Sequence, residues 1–279
     1  MITTDFLASV NKELASDGLK ADIRCVKANN DTEKEGITLL DVDVSPVIYP
    51  SDDMTPEQVA SLLTLHLNDG IEHRDLLASL NKEKILASVM PELVATKTNK
   101  EYLEGKAQAQ LTHDITIIYR YIVDIDNSGI QSIVIPAEWL PLYNINLEEL
   151  FTAGQAFANE HYKLRTMREV FLDMGMDEEM LDLMGVGSVN LYCLTNEWSV
   201  YGASSVLSAA ALGEAYDRIG GDFYIIPSSI HEVLIIPTSD GEASALADMI
   251  QSINDEHVKE NEVLGNHAYM CDGVTIWNP

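Results

Sequence analysis

Three times along the chain, two β-rich runs are followed by a stretch of helical periodicity, near residues 22–68, 114–161 and 223–256. The turns between the runs of each pair are too short for a parallel crossover, which needs a dozen residues or more, so the strands of each pair must run antiparallel. A helix placed after each pair then covers one face of the sheet instead of joining parallel strands. The expected fold class is therefore α+β: antiparallel strand pairs, each followed by a helix, in a layered arrangement of sheet and helices.

Local signals place the elements. Phe6, Leu7, Val10 and Leu14 recur at helical spacing, with Thr3 or Thr4 available as N-cap and Gly18 as a stop, which predicts a helix over 4–17. The runs "ADIRCVKA" and "GITLLDVDVSPVIYP" read as strands. Thr55, Pro56 and Gln58 form a capping box with proline at the first helical position, so "TPEQVASLLTLHLND" reads as a helix. Residues 71–112 mix helical stretches with a short strand at "ELVAT". Beyond them, "DITIIYRYIVD" and "IQSIVIP", joined by "IDNSG", read as a hairpin with a longer loop, and Asn146 with Glu149 caps a helix over "LEELFTAGQAFANEHY". "VNLYCLTN" is a strand, "ASSVLSAAALGEAYDRIGG" a helix ending at Gly220 and Gly221, and "GEASALADMIQSINDEHVKE" another helix. A closing hairpin turns on Asp272-Gly273 as a two-residue loop. No Pro/Gly/Ser-rich linker marks a boundary; the division is expected between 90 and 112, giving regions 1–95 and 96–279 that could also be one continuous domain.

The chain carries 17 Lys and Arg against 45 Asp and Glu, a formal net charge of -28. Such a surface repels phosphate backbones and anionic headgroups, so direct nucleic-acid binding and membrane association are not expected. Excess carboxylate is sufficient for solubility alone. It also suits a basic protein partner, or mimicry of DNA by a carboxylate-studded surface in an anti-defence protein of a mobile element. Cys25, Cys193 and Cys271 are odd in number and far apart, which suits a reducing cytoplasm and neither a disulfide framework nor a zinc knuckle. No basic leader with an apolar segment and no bilayer-length apolar run is present, so a cytoplasmic protein is expected. The stretch "TMREVFLDMGMDEEMLDLMGVGS" is Met-rich and acidic, broken by Gly175, Gly185 and Gly187, and is the expected mobile or partner-facing segment.

The densest group of polar residues in an apolar setting is "GGDFYIIPSSIHEVLIIP", which holds Ser228, Ser229, His231 and Glu232. A metalloprotease helix would need histidine at 235, which is Ile235, and a hydrolase elbow would need glycines flanking the serine. On a strand, Ser229 and His231 would share one face and Glu232 the other, which excludes a relay from these adjacent residues alone. They are either a structural strand-turn-strand element or contributors to a catalytic or ligand-binding site. A second candidate is "LTNEWSVYGASS", where Asn196, Trp198, Tyr201 and Gly202 precede a helix whose free N–H groups could receive an anion. "DIDNSG", Asp124 to Gly129, starts like a calcium loop but has Ile135 at the twelfth position, and reads as a hairpin loop. Asp41 and Asp43 fall on one face of a strand and read as an exposed edge. His66, His73, His113, His161, His257 and His267 lack ligand spacing, so no metal and no cofactor is expected.

The runs "GITLLDVDVSPVIYP", "DITIIYRYIVD", "LYCLTN" with "GASSVL", and above all "GGDFYIIPSSIHEVLIIP" resemble, in this order, a family of uncharacterised proteins of gut Firmicutes and mobile elements, domain of unknown function 5688. The order of strand pairs and helices is also distantly similar to an uncharacterised Bacillus-type family. The resemblance implies one ancient unit in which the Ser-Ser-Ile-His-Glu segment belongs to the shared fold, and it brings no activity, cofactor or site residue. The function expected from the sequence is a macromolecule-binding module without catalysis. The alternatives are a hydrolase or small-ligand-binding enzyme using Ser229, His231 and Glu232 with the 194–205 turn, and a DNA mimic or anti-defence protein of a mobile element.

Overall fold

The computed structural model describes residues 2–42, 45, 47–65, 67, 79–126, 129–185, 190–227, 229–240 and 243–279. It is an α+β fold whose described strands pair antiparallel throughout, in three sheets. The chain divides into two compact units, Met1–Asn81 and Lys82–Pro279. β4 (Val89–Ala95) pairs along its whole length with β6 (Ile115–Asp126) inside the second unit.

In the first unit α1 (Thr4–Leu14) starts where the Thr3 hydroxyl accepts the Phe6 N–H and is extended by a 3-10 turn, Ala15–Asp17. The Asn11 side chain bonds both backbone groups of Ala21 (2.8 and 3.0 Å), fixing where β1 (Ala21–Lys27) begins. β1 pairs with β2 (Glu33–Leu39), and β2 with β3 (Val47–Ile48). α2 spans 56–65, with the predicted reciprocal cap between Thr55 and Gln58 (2.8 and 3.2 Å). Val10, Leu14, Ile37, Leu39, Val59 and Leu63 form the core where α1 and α2 cover the sheet. β2 ends at Leu39, so Asp41, at φ 58°, is not on the strand as expected; Asp43 lies outside the described residues.

In the second unit α3 (Lys82–Ala87) leads into β4. β6 is the spine of a four-stranded sheet: β4 holds one edge, while β5 (Gln108–Gln110) and β7 (Gly129–Val134) pair with successive stretches of the other. α4 (Trp139–Tyr143) follows, then α5 (Leu147–His161), started by the predicted capping box of Asn146 and Glu149. α5 approaches this sheet closely at Gly154, beside Pro91 and Tyr119.

The remaining strands form a six-stranded sheet in the order β13-β12-β10-β11-β9-β8. These are β8 (Tyr162–Thr166), β9 (Tyr192–Asn196), β10 (Phe223–Ile226), β11 (Val233–Pro237), β12 (Tyr269–Cys271) and β13 (Ile276–Trp277). Between β8 and β9 lie α6 (Met167–Asp173) and α7 (Glu178–Leu183); α8 (Ala209–Ile219) precedes β10 and α9 (Ala243–His257) follows β11. Leu246 and Ile250 of α9 pack on Tyr224, Ile226 and Ile236, alternate residues that face one side of the sheet.

Two local expectations are corrected. The helix expected from Ala203 begins at Ala209, capped by the Ser208 hydroxyl on the Ala211 N–H, and Gly202–Leu207 is instead a buried 3-10 segment. β10 stops at Ile226 and β11 starts at Val233, so the segment between them is the turn of the expected strand-turn-strand element. The closing hairpin pairs Cys271 with Ile276, so its loop has four residues instead of two. The Asp272 carboxylate takes the N–H groups of Val274 and Thr275, and Gly273, at φ 86°, leaves room for the Tyr216 side chain, whose Cβ an added methyl would meet at 2.8 Å. β8 was not anticipated at all, because it follows α5 without a loop.

Candidate functional site

Strand register assembles the site. Arg165 of β8 pairs with Cys193 of β9, which pairs with Leu234 of β11. Two residues along, Thr195 faces the position of Glu232, which directly precedes the Val233 and Leu194 pair. Residues two apart share a face, so Arg165, Cys193, Thr195, Glu232 and Leu234 point the same way. α6 lays Met167 and Val170 beside them and Ser199 completes a cleft of about 340 Å³. Leu234 also packs against the α9 cluster, so the cleft opens on the face that α9 covers further along the sheet. The first unit has wider depressions along α2, about 520 and 740 Å³, walled partly by Glu13, Asp17, Asp53 and Glu57. The smaller cleft is the better candidate because it gathers a carboxyl, a guanidinium and a thiol on apolar walls.

Burial pushes the Glu232 carboxyl above its ordinary range, only partly offset by the His231 charge and a hydrogen bond from Ser229. Burial, reinforced by the Glu232 charge, pushes the Cys193 thiol up to about 11. At neutral pH Cys193 is a protonated, weakly nucleophilic thiol. Arg165 pairs with Asp173, while its Nε is buried with no hydrogen-bond partner among the described residues. Cys25 is exposed, whereas Cys271 is buried with its thiol also pushed to about 11 by burial. Labelling by an aromatic disulfide at mildly alkaline pH should therefore modify Cys25 first, and Cys193 and Cys271 more slowly by roughly a hundredfold or more, resolved by peptide mass mapping. Equal rates for the three thiols would contradict this environment for Cys193.

The other sequence candidates sit as follows. Ser229 is buried; its hydroxyl accepts the His231 N–H (3.0 Å) and bonds Glu232. His231 turns away from that pair: its Nδ1 accepts the Tyr201 N–H (3.3 Å) and its ring stacks on Tyr201, 5.9 Å between centroids. Its carbonyl accepts the Thr195 hydroxyl (2.8 Å). Asn196 organises the following turn, accepting the N–H groups of Trp198 and Val200 and donating to the Val200 carbonyl. Trp198 stacks on Phe157 (5.9 Å) and leans on His161. Gly202 is buried against Thr195 and His231, and the next N–H, of Ala203, bonds the Ile230 carbonyl. Ser228 lies outside the described residues.

A model of a family of unknown function (DUF5688) matches residues 3–272. The chain belongs to DUF5688. No curated protein and no solved structure matches it. The family match spans both units of this DUF5688 protein and includes every lining residue of the cleft. Among its described residues no helix is long and apolar enough to cross a membrane, and none of the His, Cys, Asp and Glu groupings could hold a metal ion.

Two further polar clusters of the DUF5688 chain were invisible to spacing arguments. Glu92, 1% exposed, takes Arg120 Nη1 at 2.6 Å, while Arg120 Nε bonds the Ser132 hydroxyl and the guanidinium lies over the Tyr201 ring at 4.6 Å. Burial alone would loosen the Arg120 proton, but the charges of Glu92, Tyr201 and Tyr102 outweigh it and raise its pKa. The second cluster is centred on Asp114, which accepts the hydroxyls of Tyr269 and Thr112 (2.5 and 2.8 Å) and has His267 and His113 each 3.4 Å away. Burial alone would raise this carboxyl; the two hydrogen bonds and two imidazoles outweigh it, and its pKa falls below the ordinary range. A carboxyl whose pKa is lowered by folding stabilises the native state above its unfolded pKa, and that contribution is lost as pH falls through the native value. Asp114→Asn should accordingly flatten the acid limb of the stability curve below about pH 4, measured by urea unfolding across pH. An unchanged acid limb would show that Asp114 is not held in this way.

Proposed function

We propose that this DUF5688 protein is a protein-binding module whose contact surface is the α6–α7 hairpin and whose partner presents a basic, amphipathic surface. The observation that carries this reading is the run of uncovered apolar side chains on the hairpin: Leu172, Met174, Met180, Leu183 and Met184, with Leu183 90% exposed. Contiguous apolar side chains on a soluble surface point to a partner, and methionines adapt to varied ones. Asp173, Asp177, Glu178, Glu179 and Asp182 surround them, and the net charge of -28 favours encounter with a cationic surface. Arg165 and Arg168 on α6 and the adjoining strand pair back onto Asp173, Glu178 and Asp182, so they brace the hairpin. A catalytic reading with Ser229, His231 and Glu232 has less support, because His231 is stacked on Tyr201 while Ser229 bonds Glu232.

The test uses a fluorescent model peptide, helical and amphipathic, with lysine on its polar face and leucine on the other, read by anisotropy. Leu183→Ser with Met184→Ser, which leaves the charge unaltered, should weaken binding by roughly tenfold or more. Leu142→Ser, at a site 69% exposed but outside the hairpin, should leave it unchanged. Equal loss in both variants, or loss in neither, would remove the hairpin as the contact.

A further inference from the structure

The cleft and the hairpin share α6: Met167 and Val170 line the cleft, and Leu172, at the end of the same helix, belongs to the exposed apolar run. A partner seated on the hairpin therefore touches the same helix that walls the cleft. The charges inside are unequal. Arg165 is answered by Asp173, whereas Glu232 takes a hydrogen bond from the neutral Ser229 hydroxyl, with the His231 charge favouring its ionised form and the Glu262 charge opposing it. Carboxylates set in apolar surroundings are completed best by a cation that brings its own apolar stem. Met167, Val170, Cys193 and Leu234 supply walls for such a stem. Since the Ser229 hydroxyl already occupies part of the Glu232 carboxyl, a compact ammonium fits the remainder better than a guanidinium fork that needs both oxygens.

Resting on the hairpin reading above, we propose that the cleft receives a lysine side chain of the basic partner, its methylenes along Met167, Val170 and Leu234 and its ammonium on Glu232. The pair forms without proton transfer when Glu232 is ionised, and the incoming charge stabilises that ionised form, opposing the upward push of burial. Thr195 is held by the His231 carbonyl and keeps the strand spacing at the cleft floor.

The experiment titrates the full chain, labelled at its methionine methyl groups, with Nα-acetyl-lysine N-methylamide, following Met167 by NMR. The norleucine and arginine analogues serve as probes of charge and of shape. The lysine compound should move the Met167 signal saturably, with the norleucine compound weaker by roughly tenfold or more and the arginine compound also weaker. Glu232→Gln should reduce the lysine response by a similar factor, and Val170→Phe, which fills the cleft from its wall, should abolish it independently. Equal responses to lysine and norleucine, or an undiminished response in Glu232→Gln, overturns the proposal; an arginine compound that binds more tightly overturns the choice of ammonium. The two readings fail separately. Leu183→Ser with Met184→Ser should leave the lysine compound's response intact while weakening the model peptide, so loss of one effect without the other identifies which is wrong.

Discussion

Glu92→Ala is expected to lower the unfolding free energy of the second unit by about 3–5 kcal/mol, the range for a buried ion pair stripped of one partner. Glu92 is 1% exposed and the Arg120 side chain 13%, so water cannot replace the lost carboxylate without opening the four-stranded sheet. Seven residue pairs hold β4 to β6 around this point, with Met90 directly opposite Arg120, so neither strand can easily swing outward to solvate the guanidinium. Tyr102, whose hydroxyl lies 3.4 Å from Glu92, would lose a partner as well. The paired replacement Glu92→Leu with Arg120→Met removes both charges and should recover most of the loss, since well-packed apolar residues often match a buried pair. Urea unfolding of the full chain with a probe in the second unit measures both. A cost below about 1 kcal/mol for Glu92→Ala would mean that the guanidinium finds another anion or water.

The same pair shows where sequence reading runs out. The elements announced by neighbouring residues were legible: Thr3 on α1, Thr55 with Gln58 on α2, Asn146 with Glu149 on α5, and the alternation of β6 and β7. Each of those signals acts within four residues or within one hairpin. β8 was missed because Lys163 and Arg165 interrupt its apolar residues and helices abut both ends. The four-residue closing loop was misread because Asp272 can organise either turn length, and the choice falls to the pairing of Met270 with Trp277.

The candidate site divides the same way. Glu232 was singled out from its apolar setting, but its companions Arg165 and Cys193 arrive through the register of β8, β9 and β11. Asp114 meets Tyr269 and His267 across more than 150 residues of chain, a proximity no local spacing encodes. His231 needed the Tyr201 backbone, 30 residues away, before its direction was decided. A signal that did survive in the sequence was compositional: methionines and acids concentrated between Met167 and Met184, where the structure leaves apolar side chains uncovered.

Gly202→Ala should be the most damaging small substitution near the cleft. A Cβ there would overlap the Thr195 hydroxyl and stand 2.5 Å from the His231 carbonyl oxygen and 2.7 Å from the Asn196 nitrogen. Two of these three neighbours are backbone, in β9 and in the connection that carries Glu232, so a rotamer change cannot relieve them. Relief requires parting the 3-10 segment from β9, which strains the hydrogen bonds of Ala203 to Ile230 and of Thr195 to His231. Overpacking of this kind costs about 3 kcal/mol. The same displacement shifts Thr195 and the Glu232 connection on the cleft floor, so the Met167 response to the lysine compound should fall with stability. Gly213→Ala is the matched control: a Cβ there meets nothing within 4 Å in the middle of α8, and the change should stabilise by about 0.5–1 kcal/mol. Thermal unfolding of the two variants side by side tests the close approach directly. If Gly202→Ala matched Gly213→Ala in stability, the 3-10 segment would not be pressed against β9, and the floor of the cleft would be looser than the geometry requires.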